Sequence, residues 1–502
     1  MLRIYILIAL SFLMMTNAFC QKEAKYYENG LSALSSSNYL EALRSFRQVY
    51  NLNPEFNDVK YKIEFLSLLT PEGDEKSLDK LLSFETEFGG TDDHYYYWLG
   101  QVYLRRYQID DAIKSFERFH QKIEYTGNTD EESVALIAHS KELQYFFNNP
   151  GNYEIHQLEA PVNSAGSELS PVFFEGGDEL LFASDRSGSG ETPFSIYYTK
   201  QTSSGWSALK EVTNLGNFTK SNANIEVVNG DGKLFLFKED KGGDLFYSQA
   251  SGENWTIPLE FDARISNNHL ASHFFINEHE DRIVFASDVS GNGLDIYESF
   301  RDPENDKWSK PAPFYSIINS DFNDDSPYLS PDENALYFSS DRPGGIGGYD
   351  VYVSYLNVSD YSWSEPKNLG WPINSPNDEI HYKLNTNQKS GYLVSDRLHT
   401  KGNTDIYAFW EVQKIKIEGR IFDETAGKAL SDAEIRFRPS QYLDESFTSA
   451  IDITGRYTTN IISDETFKVE IVKNGKVIFT ESFEIHETSG EPTTYHKDFS
   501  VK

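Results

Sequence analysis

The chain has 502 residues and carries 45 Lys plus Arg against 78 Asp plus Glu, a formal charge of −33. Such an acidic chain is repelled by DNA, RNA and anionic membrane surfaces, which argues against nucleic acid or a membrane face as partner. Its length predicts more than one domain, and 39% hydrophobic with 15% aromatic residues is enough for packed cores.

Residues 1–20 read as a signal peptide. Arg3 precedes the apolar run Ile4–Met15, which is too short for a membrane span. Small residues at Ala18 and Cys20 fit cleavage after Cys20. The alternative is a lipoprotein with Cys20 lipidated, although Phe19 stands where a lipobox has a small residue. Cys20 is the only cysteine, so an exported product cleaved after it has no disulfide and rests on its cores alone. No later stretch has the length of a transmembrane helix. The expected location is the periplasm, soluble or associated with the outer membrane.

Residues 22–149 carry helix-period apolar positions. Tyr26, Gly30, Ala33, Ala42, Phe46, Val49 and Pro54 form one set, and Tyr96, Leu99, Gly100, Tyr103, Ala112, Phe116 and Phe119 a second. Small residues (Gly30, Ala42, Gly100, Ala112) let paired helices approach, and Phe46 and Phe116 fill the space between them. Gly30 and Gly100 lie 70 residues apart, twice the period of about 34 residues of the tetratricopeptide (TPR) repeat. Thr70-Pro71-Glu72-Gly73 would turn a degenerate middle pair, and Asp130 to Phe147 reads as a capping helix. The segment resembles a TPR array of about three repeats, which implies a concave peptide-binding surface without catalysis. Asn149-Pro150-Gly151-Asn152 is a turn cluster and a natural boundary.

Residues 153–412 contain five copies of one strand pattern. Four are followed by Trp206, Trp255, Trp308 and Trp363, spaced 49, 53 and 55 residues apart. About four strands per period is the size of a propeller blade. The fifth copy ends at Ala408-Phe409-Trp410 without a fourth strand, which Tyr153–Leu158 is expected to supply, closing a ring of five. The copies resemble the TolB-like, WD40-like propeller repeat of bacterial exported proteins. The best carry Ser340-Asp341-Arg342 with Asp350, and Ser395-Asp396-Arg397 with Asp405. Copy two has Lys238-Glu239-Asp240 instead, copy three reads Asp288-Val289, and copy one has Ser195 for the second aspartate.

Asp185, Asp288, Asp341 and Asp396 occupy one equivalent position in successive copies. Hydrolysis of a glycosidic bond needs two carboxyls in unlike environments. A repeated aspartate is therefore expected to be structural, through a turn hydrogen bond or an Asp–Arg pair. Gly344-Gly345-Ile346-Gly347-Gly348 precedes a strand, whereas phosphate cradling uses a following helix N-terminus. His269 and His273 sit four apart in a strand, about 13 Å, too far to chelate one metal. Both are expected to be scattered surface histidines. No H-E-x-x-H or G-x-S-x-G occurs. No catalytic, cofactor-binding or metal residue is assigned.

Residues 414–502 alternate with period two, and Lys473-Asn474-Gly475-Lys476 reads as a hairpin turn. Gly419, Asp423, Gly427, Leu430, Ala433, Gly455, Tyr457 and Val469 fall where the carboxypeptidase-regulatory-like domain has its pattern. That resemblance implies a small, non-catalytic β-sandwich.

The expected fold class is thus multidomain: an α-helical TPR array, an all-β five-bladed propeller, then a small β-sandwich. This order is similar to the PorE-like periplasmic proteins of Bacteroidetes, which add a peptidoglycan-binding OmpA-like domain that is not found before Lys502. The resemblance implies a non-enzymatic scaffold without cofactor. It would be a component or accessory of a type IX secretion or other outer-membrane assembly, binding envelope proteins through the TPR groove and a propeller face. Peptidoglycan binding is not expected. The alternative is a carbohydrate-binding or glycosidase-type five-bladed propeller.

Overall fold

The computed structural model describes residues 22–501 except 36–37, 57–58, 71–74, 89–93, 126–130, 175–177, 187–193, 216–223, 229–231, 239–243, 252–253, 262–272, 292, 386, 398–399, 440–446, 463–465 and 486–493. The leader with Cys20, the Pro71-Glu72-Gly73 turn and His269 therefore lie outside the described residues. By internal contacts the chain falls into two compact units. One runs to Gly151 and resumes over Ile155–Phe409; the other joins Asn152–Glu154 to Trp410–Lys502.

The first unit opens with helices: α1 (22–35), α2 (Tyr39–Leu52), α3 (Val59–Leu68), α4 (Glu75–Ser83), α5 (Glu85–Phe88), α6 (Tyr95–Arg105), α7 (Ile109–Tyr125) and α8 (Glu131–Asn148). α2 begins where the Asn38 side chain accepts the Glu41 amide at 3.2 Å, and it buries Ala42, Leu43, Phe46 and Val49 along one stripe. The glycines are explained by contact. A Cβ on Gly30 would come 2.8 Å from the Phe46 ring, and one on Gly100 would enter the ring of Phe116. Consecutive helices pack as pairs, α2 with α3, α6 with α7 and α7 with α8. No described helix is long and apolar enough to cross a membrane.

Five antiparallel sheets follow. Their first strands are Glu168–Phe173, Ile225–Val228, Phe274–Ile276, Asp324–Leu329 and Glu379–Leu384. Each packs against the next, and the fifth packs against the first, so the sheets form a closed ring. In four sheets the outer strand is split in two. Trp206, Trp255, Trp308 and Trp363 end its first piece, and a second short piece pairs with the same third strand. A hydroxyl fixes each break: Thr199, Ser248, Ser299 and Ser354 donate to the carbonyls of Ser207, Thr256, Ser309 and Ser364 at 2.6–2.9 Å. The fifth sheet takes its outer strand from Tyr153–Gln157, which pairs with Asp405–Glu411. This strand covers the edge that Asp405–Glu411 would otherwise present.

The helices rest on this ring within one unit. Trp371, in the loop before the fifth sheet, stacks on Phe147 of α8 at 4.4 Å and meets Tyr107 edge-on at 5.2 Å. Ile346 is fully buried in the same cluster.

The second unit is two sheets around one core. Ile415, Ile417, Ile421, Tyr457 and Ile461 on one face Ile435, Phe437, Phe467, Val469, Ile471 and Phe483 on the other. The Asn474-Gly475 turn has positive φ at both residues (51° and 72°), the geometry of a two-residue hairpin.

Candidate functional site at the ring axis

The repeated aspartates hold backbone. Asp185 Oδ1 accepts the Ser167 amide at 2.5 Å, Asp341 accepts the Asn323 amide at 2.8 Å, and Asp396 accepts the Asp378 amide at 2.8 Å. Asp288 stands exposed at its position. An Asp–Arg pair within the motif is not what forms. Arg186, Arg342 and Arg397 reach back to Glu168, Asp324 and Glu379, whose side chains are wholly buried. Each arginine also donates to a carbonyl of the incoming linker, from Val162, Ile318 and Ile373 respectively. The result is a clamp between successive sheets. Burial pushes Glu379 up to about 7 against the pull of Arg397. The second aspartates fold loops: Asp350 accepts the amides of Ile346 and Gly347, and Asp405 accepts Lys401 N at 2.6 Å. Gly344–Gly348 thus wraps a buried carboxylate of its own chain.

The unlike residues stand elsewhere, in one column of the repeat. Strand register aligns Ser170, Asn224, His273, Ser326 and His381, one from each sheet. Two residues later, on the same strand face, come Val172, Glu226, Phe275, Tyr328 and Lys383. Three first strands bulge at this column, with positive φ at Ser170 (47°), Ser326 (49°) and His381 (54°). Left-handed backbone at non-glycine residues is strained, and a bulge re-aims a side chain. Repetition of the same device on three strands marks the column as built.

Closure of the ring brings the column together. Ser170 Oγ donates to Asn224 Oδ1 at 3.0 Å and lies 3.5 Å from His381 Nδ1. The His381 ring meets that of His273 edge-on at 4.5 Å, and His273 Nδ1 lies 2.6 Å from Asp325 Oδ1. Side chains from the five sheets therefore meet: polar contacts join Asn224, Ser170 and His381, another joins His273 to Asp325, and the two histidine rings touch edge-on between them. One level on, Lys383 Nζ lies 2.6 Å from Glu226 Oε2, and Tyr328 meets Phe275 edge-on at 5.2 Å. Burial, then His273, then Lys383, hold His381 well below the usual histidine range, so it is neutral. His273 is accordingly an axial residue and not a scattered surface histidine: its side chain is 21% exposed and hydrogen-bonded to Asp325. The repeated Ser-Asp-Arg motif carries no mark of this column. The available signal was its converse, an aligned position whose residue type differs in nearly every copy.

Among the described residues no group of three or more His, Cys, Asp or Glu could hold a metal ion. The two axial carboxylates are each already paired, Asp325 with His273 and Glu226 with Lys383.

No protein-family profile matches the chain, and no curated protein matches it. Among solved structures, a putative TolB from Agrobacterium tumefaciens is 12% identical over 52% of this chain and 91% of its own, with a TM-score of 0.31. An α-L-arabinofuranosidase from Lactobacillus brevis is 13% identical over 50% and 92%, TM-score 0.32. A family-32 β-fructofuranosidase from Bombyx mori is 11% identical over 70% and 93%, TM-score 0.34.

Proposed function

We propose that this protein is a non-enzymatic, exported scaffold in which a three-repeat TPR array, a five-bladed TolB-like propeller and a carboxypeptidase-regulatory-like sandwich bind envelope proteins. The carrying observation is the Phe147–Trp371 stack, which packs the helical array onto the ring. Two modules joined through a half-buried aromatic stack hold their binding faces at a fixed geometry, which suits a scaffold. The PorE-like order of modules supports a place in a type IX secretion or other outer-membrane assembly of the periplasm.

The glycosidase alternative needs a carboxylic acid that keeps its proton beside a second free carboxylate. Asp325 and Glu226, each bound to a basic partner, are poorly suited to that work. Affinity purification of the full chain from envelope extracts tests the scaffold reading. Recovery of outer-membrane or secretion components is expected; a monomer without partners under mild conditions would refute it.

A further inference from the structure

The clamps between sheets are not spread evenly around the ring. Among the described residues, three joints tie the incoming linker on both sides. Asn163, Asn319 and Asn374 each exchange two hydrogen bonds with the third strand of the preceding sheet, at Ile406, Ile296 and Val351. On the other side Ser164, Ser320 and Ser375 donate amide and hydroxyl to Glu168, Asp324 and Glu379. Those are the carboxylates that Arg186, Arg342 and Arg397 hold. The ties fasten sheet five to sheet one, three to four, and four to five.

The joints entering sheets two and three have other residues. Where the repeat has its arginine, the second and third copies have Asp240 and Val289. Where it has the carboxylate, they have Asn222-Ala223 and Ala271-Ser272. Both members of the ion pair are replaced together, so a guanidinium–carboxylate clamp cannot form at either joint. Sheet two is thus unclamped on both sides, sheets one and three on one side each, and sheets four and five on neither. Sheet two keeps its apolar packing and two lysine ion pairs, Lys233 with Glu280 and Lys383 with Glu226. An ammonium lacks the fork with which arginine holds a carboxylate and a linker carbonyl at once.

We infer that the ring is built to open at its second sheet, while sheets three, four, five and one stay together as a fastened arc. Opening there uncovers Phe235 and Phe237, which the closed ring buries with Phe274 and Ile276 of sheet three. This opening belongs to the ring alone and does not depend on the scaffold reading.

Hydrogen exchange of the full chain under native conditions, read by peptide mass spectrometry, tests it. The second strands compare like with like: Glu179–Ser184, Lys233–Lys238, Arg282–Ser287, Ala335–Ser340 and Ser390–Ser395. Lys233–Lys238 is expected to exchange at least about tenfold faster than Ala335–Ser340 and Ser390–Ser395, with the other two strands between. Arg342→Val with Asp324→Asn gives sheet four the residue types of the unclamped copies and frees the second side of sheet three. Exchange of Arg282–Ser287 is then expected to rise to the rate of Lys233–Lys238. Even protection across the five strands, fastest exchange in any sheet but the second, or a sheet three unmoved by the double variant would overturn the opening. If that variant does not fold, the order of protection in the parent decides alone.

Discussion

Lys383 on the fifth sheet reaches Glu226 on the second with Nζ 2.6 Å from Oε2, although these sheets are not neighbours in the ring. The side chains are 18% and 7% exposed. Removing one partner of such a pair leaves a charge buried without compensation, which costs roughly 3–5 kcal/mol. Replacing both costs less. We expect Lys383→Met alone to lower the urea midpoint of the first unit clearly, and Lys383→Met with Glu226→Leu to recover much of the loss. Equal losses in the single and double variants would show that the pair is not coupled.

Gly100→Ala separates helix propensity from packing. Alanine favours a helix over glycine by about 1 kcal/mol. Its methyl would meet the Phe116 ring, and overpacking a core costs about 1–3 kcal/mol. Net destabilisation is expected, reversed when Phe116→Leu makes room. A Gly100→Ala variant with a raised Tm would mean that α6 and α7 do not approach as closely as described.

Asp405 sets a pH dependence of unusual sign. Burial first, then the neighbouring Glu168, push it up to about 6 from 3.8. The folded protein thus holds this proton more tightly than the unfolded chain. The contribution is fully present below about pH 4 and is lost as pH rises through about 6, by no more than about 3 kcal/mol. Asp405→Asn keeps an acceptor for Lys401 N and removes the titration. Tm measured from pH 4 to 7 should rise for the variant relative to the parent as pH increases. A constant difference would place the Asp405 titration outside this window.

His381 should behave in the opposite sense. Its burial beside His273 and Lys383 keeps the folded form neutral. Its contribution is present above the unfolded value near 6.5 and is lost as pH falls below it. Imidazole nitrogen shifts should report a neutral ring that does not titrate as pH falls through 6.5. Titration near 6.5 would contradict a buried ring.

Arg397 tests the clamp between sheets. It donates to Pro372 O, Ile373 O and Glu379 in a fork that lysine cannot copy. Arg397→Lys is expected to cost on the order of 2 kcal/mol, more than Arg301→Lys, whose side chain is 34% exposed. Chemical denaturation of the two variants side by side decides it.

Much of this architecture is local and was legible in the residues. Period-two strands, the spacing of Gly30 and Gly100 with their phenylalanines, the tryptophan period and the missing outer strand of the fifth copy are encoded within one or two elements. Each depends on the pleat, the helical turn or the length of a repeat. The role of the repeated aspartates was legible for the same reason, since Asp341 binds a backbone amide only 18 residues away. The carboxylate partner of each motif arginine is just as near, 18 residues back on the first strand of its own sheet, but the motif itself does not name it. The axial site was hidden altogether. His273 meets Asp325 52 residues on, Ser170 meets His381 at a separation of 211, and Lys383 meets Glu226 at 157. Sequence determined which residue each first strand offers at this column. Only closure of the ring decided that the five residues share one axis, because a strand's pattern states which face is buried and not which other strand will stand across from it.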